Sequence, residues 1–409
     1  MIASLPAAAH EAIASLLGRA EELLALGSWA RAGACLEALD RALLACLRSL
    51  ERLEPGGAGR ELMGYAFYRR GLLERLVRQG AFAPELLRAL YGSSSSGRLI
   101  LLVTRACQLR CSYCRAWKHP SRMSLPVAEA AVRLLFRSLR EEVELQFFGG
   151  EPLLAFQVVR QATILAESLA RRSGKKLRLL LTTNALALSR EALDFLRERG
   201  FFLEASCDGS RRTQLAQRAA PGGLDYYDRL LGNLERLKSS GVPYQVTMVV
   251  LPERAGELLA EFRHLARLGH RRIQVNYALG CPWGPEQASG LLRQMQEAAR
   301  LASAMGVELV NMSSRRREPV VLNGELTVDC DGGIFRETGL SLEEDFQAMK
   351  ERFFVEEVAR ARFPEYYGAT PFDNLALLTR AYGRGRLRGI VLNNLELGIR
   401  LREGFRDRE

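Results

Sequence analysis

Residues 98–114 read RLILLVTRACQLRCSYC, a short apolar run of strand character that opens directly into three cysteines. Cys107, Cys111 and Cys114 follow C-x3-C-x2-C spacing. With 8 Cys in 409 residues, such a run arises by chance about 0.003 times in a chain of this length. Three thiolates close together in a strand-following loop suit an iron–sulfur cube, each ligating one iron and leaving the fourth iron open to an exogenous ligand. A structural zinc site is the competing reading. It closes with a fourth protein ligand, for which His119 is the nearby candidate.

Downstream of this stretch, apolar strand-like runs alternate with amphipathic helices. Strands are expected at 98–104, 143–148, 177–183, 201–207, 244–250 and 272–277, with helices near 124–140, 155–172, 189–199, 224–240, 254–268 and 286–305. Six β–α units in strict alternation imply an α/β fold with a parallel sheet and right-handed crossovers. Periodicity leaves open whether that sheet is an open one or a partial barrel, and both place ligands at the C-terminal strand ends. A hairpin follows at 320–335, turning at Asp331-Gly332-Gly333, and the tail 341–409 reads as helical, opening with a capping box of Ser341 and Glu344.

Upstream, Leu, Ala and Ile recur at helical spacing almost throughout 1–92, which predicts a small helical domain with Cys35 and Cys46 on its apolar stripes. Gly92 to Gly97, with four serines between, is the expected linker. The predicted domains are thus 1–92, a linker at 93–97, a barrel at 98–305 and an extension at 306–409.

A hydrophobic content of 48% with 26% charged residues excludes a disordered class. No apolar run reaches the roughly 20 residues of a membrane span. The N-terminal MIASLPAAAHEAIASLLGR lacks a basic n-region and carries Glu11, so no secretory signal is expected and a cytoplasmic location is. The net charge of +11 rests on 53 Arg against 5 Lys scattered along the chain. That scatter reads as a solvated surface, and the densest group, Arg315 to Arg317, is too short for a nucleic-acid footprint.

The cysteine motif, with Tyr113 before its last cysteine, resembles that of the radical S-adenosylmethionine (SAM) enzymes. Phe148-Gly149-Gly150-Glu151-Pro152, ending the second strand, is similar to that superfamily's GGEP motif, and Thr183-Asn184 to its Thr-Asn-Gly, with Ala185 replacing the glycine. Ser206-Cys207-Asp208-Gly209, followed ten residues after Asp208 by Arg218, resembles the anaerobic sulfatase-maturase-like branch, whose members carry SPASM or twitch extensions and mostly modify peptides. The resemblance implies a partial (β/α)6 barrel with one 4Fe–4S cluster on Cys107, Cys111 and Cys114. It implies SAM contacts from Tyr113, Gly149, Gly150, Glu151, Asn184, Ser206, Asp208, Arg218 and Asn276, with Arg218 pairing the SAM carboxylate. Cys207 is expected to pack rather than ligate.

SPASM relatives hold auxiliary clusters on seven or eight further cysteines. Here Glu337 stands where the hairpin would carry one, and only Cys281 and Cys330 follow residue 270. A C-terminal hairpin-plus-helix extension, SPASM-like or twitch-like and without auxiliary clusters, is therefore expected. Cys281, close after strand six, is the candidate hydrogen-atom donor to a substrate radical. The resemblance implies a peptide or protein substrate, as for a maturase of a ribosomally made peptide, and a flavodoxin- or ferredoxin-type electron donor. Modification of a small metabolite in a cofactor pathway, RNA modification and a non-catalytic metal-binding scaffold are the alternatives.

Overall fold

The computed structural model describes residues 7–26, 97–313, 320–323, 325–336, 345–362, 364–367 and 386–406, with further residues within 28–43 and 374–382. The expectations for Cys46 and all of 44–92, the linker serines, Arg315 to Arg317, Glu337 and the Ser341/Glu344 capping box lie outside these described residues. Twelve strands are described: β1 (Arg98–Thr104), β2 (Arg110–Cys111), β3 (Glu142–Gly149), β4 (Lys176–Thr183), β5 (Phe202–Ser206), β6 (Arg218–Ala219), β7 (Tyr244–Val250), β8 (Arg272–Tyr277), β9 (Glu308–Leu309), β10 (Leu326–Val328), β11 (Gly333–Arg336) and β12 (Phe354–Glu357). The helices between the core strands are α2 (Leu125–Phe136), α3 (Phe156–Ser173), α4 (Arg190–Glu198), α5 (Arg211–Gln217), α6 (Tyr227–Ser239), α7 (Leu258–Arg267) and α8 (Pro285–Met305), while α1 (Ala7–Ala25) precedes them.

One sheet runs in the order β12-β11-β10-β1-β3-β4-β5-β7-β8-β9, and every pair from β10 through β1 to β9 is parallel. Its two ends do not pair among the described residues, and residues of β1, β3, β4, β5, β7 and β8 line one common cavity, so the sheet curves into a partial barrel. Alternation along each strand sorts the side chains onto two faces. Leu99, Leu101 and Val103 of β1, Val143, Leu145 and Phe147 of β3, and Val246 and Met248 of β7 join one buried cluster with Ala128, Ala131, Val132 and Leu135 of α2. The six strands expected from sequence form within a residue or two of their predicted bounds.

Local sequence sets the helix ends. The Ser124 hydroxyl accepts from Val127 N to cap α2, Ser189 does the same for Ala192 N at α4, and Gly174, at φ +68°, ends α3 in the left-handed conformation. By length and composition alone, Pro152–Ser173 is apolar enough to cross a membrane. Its Val158, Val159, Ala162 and Ala166 instead pack in the core under the sheet.

The C-terminal hairpin is part of the barrel's own sheet. β10 lies parallel to β1, Leu99 opposite Leu326 and Leu101 opposite Val328, and β11 returns antiparallel. Its first arm is shorter than the sequence predicts, because Val320–Leu322 is a turn of 3-10 helix. The expected turn forms, with Gly332 at φ +93° and the Asp331 carboxylate accepting from Gly333 N at 3.0 Å. On the inner face of β1, Ile100 and Leu102 share a second cluster with Ile13, Leu17, Leu36 and Leu39 of the N-terminal helical segment and with Phe335, Phe346 and Leu395 of the C-terminal extension. The two terminal segments thus meet over the barrel.

Candidate active site

The C-terminal ends of β1 and β3 approach so closely that only glycine fits between them. A Cβ on Gly149, whose φ is +139°, would lie 2.3 Å from the Thr104 carbonyl oxygen, and one on Gly150 would lie 2.1 Å from that of Ala106. Gly150 N donates to Thr104 O at 2.7 Å and Glu151 N to Ala106 O at 2.8 Å. The two glycines thereby hold the start of the cysteine loop against the end of the neighbouring strand.

Glu151 does not face a ligand. Its fully buried carboxylate accepts from Thr183 Oγ1 and Asn184 N, both at 2.7 Å, and from Leu153 N at 3.2 Å, tying the loops after β3 and β4 together. Burial pushes its pKa up to about 7 against the lowering effect of those donors.

The cysteine loop is stitched to the far side of the barrel by a two-residue ladder. β2 pairs antiparallel with β6, Cys111 opposite Arg218, and Ser112 N donates to Gln217 O at 2.8 Å. Arg218 is anchored in turn by Asp208, donating from Nε and Nη2 at 2.9 Å each. Gln217 Nε2 and Val249 N, also at 2.9 Å, complete the carboxylate's partners, with the Tyr113 hydroxyl at 3.3 Å. The Arg218 guanidinium also stacks over the Tyr113 ring, 5.3 Å from its centre. The resemblance pairs Arg218 with a ligand carboxylate; in the structure its fork is committed to Asp208, which is itself fully buried.

Cys107, Cys111 and Cys114 line one end of a cavity of about 380 Å³. Lys118 donates to Cys114 Sγ at 3.0 Å, and Asn184 Nδ2 lies 3.7 Å from Cys107 Sγ. Burial raises the Cys107 thiol and pushes Cys111 up to about 11, opposed by Lys118 and Arg218 respectively. Burial works against the Lys118 charge, and the neighbouring thiols outweigh it, leaving its pKa raised. Among the described residues, no three His, Cys, Asp or Glu side chains converge tightly enough to hold a single ion. A cube that gives each thiolate its own iron needs no such convergence. His119, the fourth zinc ligand considered, turns its Nδ1 to Ser121 Oγ and its ring to Trp117, and is absent from the cavity lining. Three thiols around open space, with a cation beside them and glycine-only backbone behind, fit an open iron–sulfur cluster.

Tyr113, Gly149, Gly150, Asn184, Ser206, Arg218 and Asn276 also line this cavity. Glu151, Asp208 and Cys281 do not. Cys281 Sγ donates to Ala278 O at 3.4 Å, and burial pushes its thiol up to about 11. Cys207 is fully buried, its thiol 3.8 Å from Gly209 O, in the packing position expected of it.

Sequence reading missed two groups. One is Arg105, the residue after β1, whose Nε donates to Asp329 Oδ1 at 3.1 Å while Lys350 Nζ donates to Asp329 Oδ2 at 3.0 Å, clamping the hairpin to the cysteine loop. The other is a polar inner face, from Arg98, Gln146, Thr182, Glu204, Thr247 and Asn276. Its signal was the period-two polar alternation in 144–146, 245–247 and 274–276.

The profile of the radical SAM superfamily matches residues 101–266. An uncharacterised protein of Methanocaldococcus jannaschii is 26% identical over 222 residues, 54% of this chain and 75% of its own length. An AdoMet-dependent heme synthase of Oleidesulfovibrio alaskensis is 29% identical over 178 residues, 41% of this chain and 42% of its own. A cysteine-type anaerobic sulfatase-maturating enzyme of Clostridium novyi is 24% identical over 165 residues, 38% of this chain and 44% of its own. The chain thus matches less than half the length of the two named enzymes. The solved structure of native anSMEcpe with bound AdoMet superposes with a TM-score of 0.58 at 17% identity, covering 68% of this chain and 82% of that one. That likeness is one of fold.

Proposed function

We propose that this chain, whose residues 101–266 match the radical SAM superfamily and which is similar in part to anaerobic sulfatase-maturating enzymes, is a cytoplasmic enzyme that uses one 4Fe–4S cluster and SAM to modify a peptide or protein substrate. The observation that carries the reading is the open end of the cavity, where Cys107, Cys111 and Cys114 stand around space large enough for a ligand. When bound, cluster and SAM supply one-electron cleavage of a sulfonium and abstraction of a hydrogen atom from substrate. Cys107, Cys111 and Cys114 would hold the cluster. Gly149 and Gly150 line the cavity where they hold the cysteine loop, and Asn184, Ser206 and Asn276 offer hydrogen bonds from three strand ends.

The protein's own work is orientation and exclusion of water. Asp208 fixes Arg218, Arg218 fixes Cys111 through the β2–β6 ladder, and Glu151 fixes the loop that carries Asn184. Only Cys281 and Cys330 follow residue 270. Two thiols cannot supply the four that a further cluster requires. Substrate is therefore held by side chains alone, and the electron enters from a flavodoxin- or ferredoxin-type donor.

The similarity to sulfatase-maturating enzymes favours a peptide substrate, and the similarity to a heme synthase keeps a small metabolite as the second reading. Anaerobic reconstitution with iron and sulfide tests the chemistry. A brown chromophore with 5′-deoxyadenosine released from SAM and dithionite is expected, and a chain that binds one zinc and releases none refutes it.

A further inference from the structure

Parallel barrels ordinarily fill their interior with Val, Ile and Leu. Polar groups buried there are costly unless hydrogen-bonded. In this barrel the inner positions below the strand ends are polar on five neighbouring strands, and their bonds run as one chain. Gln146 Nε2 donates to Thr182 Oγ1 at 3.1 Å, and Thr182 Oγ1 to Glu204 Oε2 at 2.8 Å. Gln245 Nε2 donates to Glu204 Oε1 at 3.4 Å and to Gln274 Oε1 at 2.6 Å.

The charges in this chain are unequal. Glu144 and Glu325 both pair with Arg98. Glu204 receives only neutral donors and forms no ion pair among the described residues, although it lines the cavity. Burial raises its pKa; the Thr182 hydrogen bond and the charge of Arg98 oppose the shift, and the nearby Glu144 and Glu325 add to it. Nearer the strand ends on the same wall, the buried Thr247 hydroxyl has no hydrogen-bond partner among the described residues. Thr247 stands level with Ser206, two residues along β5 from Glu204.

The cavity is therefore polarised. Lys118 and Arg115 line it at the cysteine end; at the other, Glu204 and Glu325 line it with Arg98, one cation that is already shared between Glu144 and Glu325. Glu204 lies about 7 Å below Ser206 at the strand end, within the reach of a long side chain entering from the mouth.

We infer that this inner end is a specificity site for a cationic side chain, Lys or Arg, of the substrate, with Glu204 as its counter-ion and Thr247 as an acceptor. The inference rests on the peptide reading above. It explains why a carboxylate held only by neutral donors and a hydroxyl without a hydrogen-bond partner among the described residues share a wall that apolar residues would otherwise fill.

The test is equilibrium binding to the reconstituted enzyme of acetylated, amidated pentapeptides Ala-Ala-X-Ala-Ala, with X as Lys, Arg, norleucine or Glu. A hydrogen-bonded charge pair in a buried site predicts that the Lys or Arg peptide binds about tenfold or more tightly than the norleucine one. Glu204→Gln, which keeps shape but replaces one of the two accepting oxygens by a donor, is expected to abolish the preference, and Thr247→Val to reduce it, while the affinity for SAM stays unchanged and a cooperative unfolding transition shows that each variant folds. Equal binding of Lys and norleucine peptides, binding of none, or a preference intact in Glu204→Gln overturns the inference. Release of 5′-deoxyadenosine in the same preparation is read separately, so loss of cation preference with SAM cleavage intact refutes this site and leaves the enzyme reading standing.

Discussion

Removing the Asp208 carboxylate tests the chain of support behind Cys111. Asp208 is fully buried, and it receives four hydrogen bonds at 2.9 Å, two of them from Arg218, which is itself 6% exposed. Asp208→Ala leaves that guanidinium buried and uncompensated, a loss of about 3–5 kcal/mol. Arg218→Met strands the carboxylate instead, at a similar cost. The double variant, with neither charge, should be less destabilised than the sum of the singles by about 2–3 kcal/mol. Urea unfolding of the apoprotein closes this double-mutant cycle. Because Arg218 also forms the rung opposite Cys111, iron and sulfide per chain after reconstitution should fall in both single variants. Single-variant losses that add to within about 0.5 kcal/mol, or an unfolding midpoint unmoved in Asp208→Ala, would refute a coupled pair and leave Arg218 free for a ligand.

Gly150→Ala places a Cβ 2.1 Å from the Ala106 carbonyl oxygen; it should displace the cysteine loop and abolish the iron chromophore, and a normal absorbance spectrum would contradict this. The pKa of Glu151 is raised to about 7 from an ordinary 4.5, so the folded state holds its proton more tightly than the unfolded chain and stability falls as pH rises between those values. The loss is on the order of 3 kcal/mol, and Glu151→Gln should remove that slope in urea unfolding at stepped pH. Ala185 sits at φ +62° where a left-handed backbone favours glycine; Ala185→Gly should add about 0.5–1 kcal/mol of stability, read as a higher unfolding midpoint. Cys281 lies off the cavity wall, bonded to Ala278 O, so Cys281→Ala should leave 5′-deoxyadenosine release and product yield unchanged.

The six core strands were legible because each is a local property. A run such as 244–250 carries its own period, its flanking helices carry theirs, and the order of units then dictates a parallel sheet. The cysteine loop was legible because its spacing is local too. Pairings between distant segments were not. Nothing in Arg110-Cys111 or Arg218-Ala219 marks a two-residue ladder, and nothing in 326–328 says that this strand adds parallel to β1 rather than standing apart. Asp208 and Glu151 were read as ligand contacts from motif position. The structure gives them five and three internal donors, because a carboxylate with no route to solvent must be satisfied from within.

The polar inner face is the instructive case, because its signal was present in the sequence. Val143-Glu144-Leu145-Gln146-Phe147 alternates strictly, as do Gln245-Val246-Thr247 and Gln274-Val275-Asn276. Strands of a parallel sheet covered on both faces ordinarily read as continuous apolar runs. Polar residues at every second position therefore mean either a solvated face or a binding cavity. The sequence separates these when both edges are considered. Residues 98–104 are apolar at both parities after Arg98, and the structure explains why: Ile100 and Leu102 lie under the terminal helices, while Leu99 and Leu101 lie under α2. A sheet capped on its inner face at one edge and polar on that face in its middle encloses a cavity, and Glu204, which takes its hydrogen bonds from neutral donors and forms no ion pair among the described residues, puts a buried carboxylate on its wall at a cost in stability.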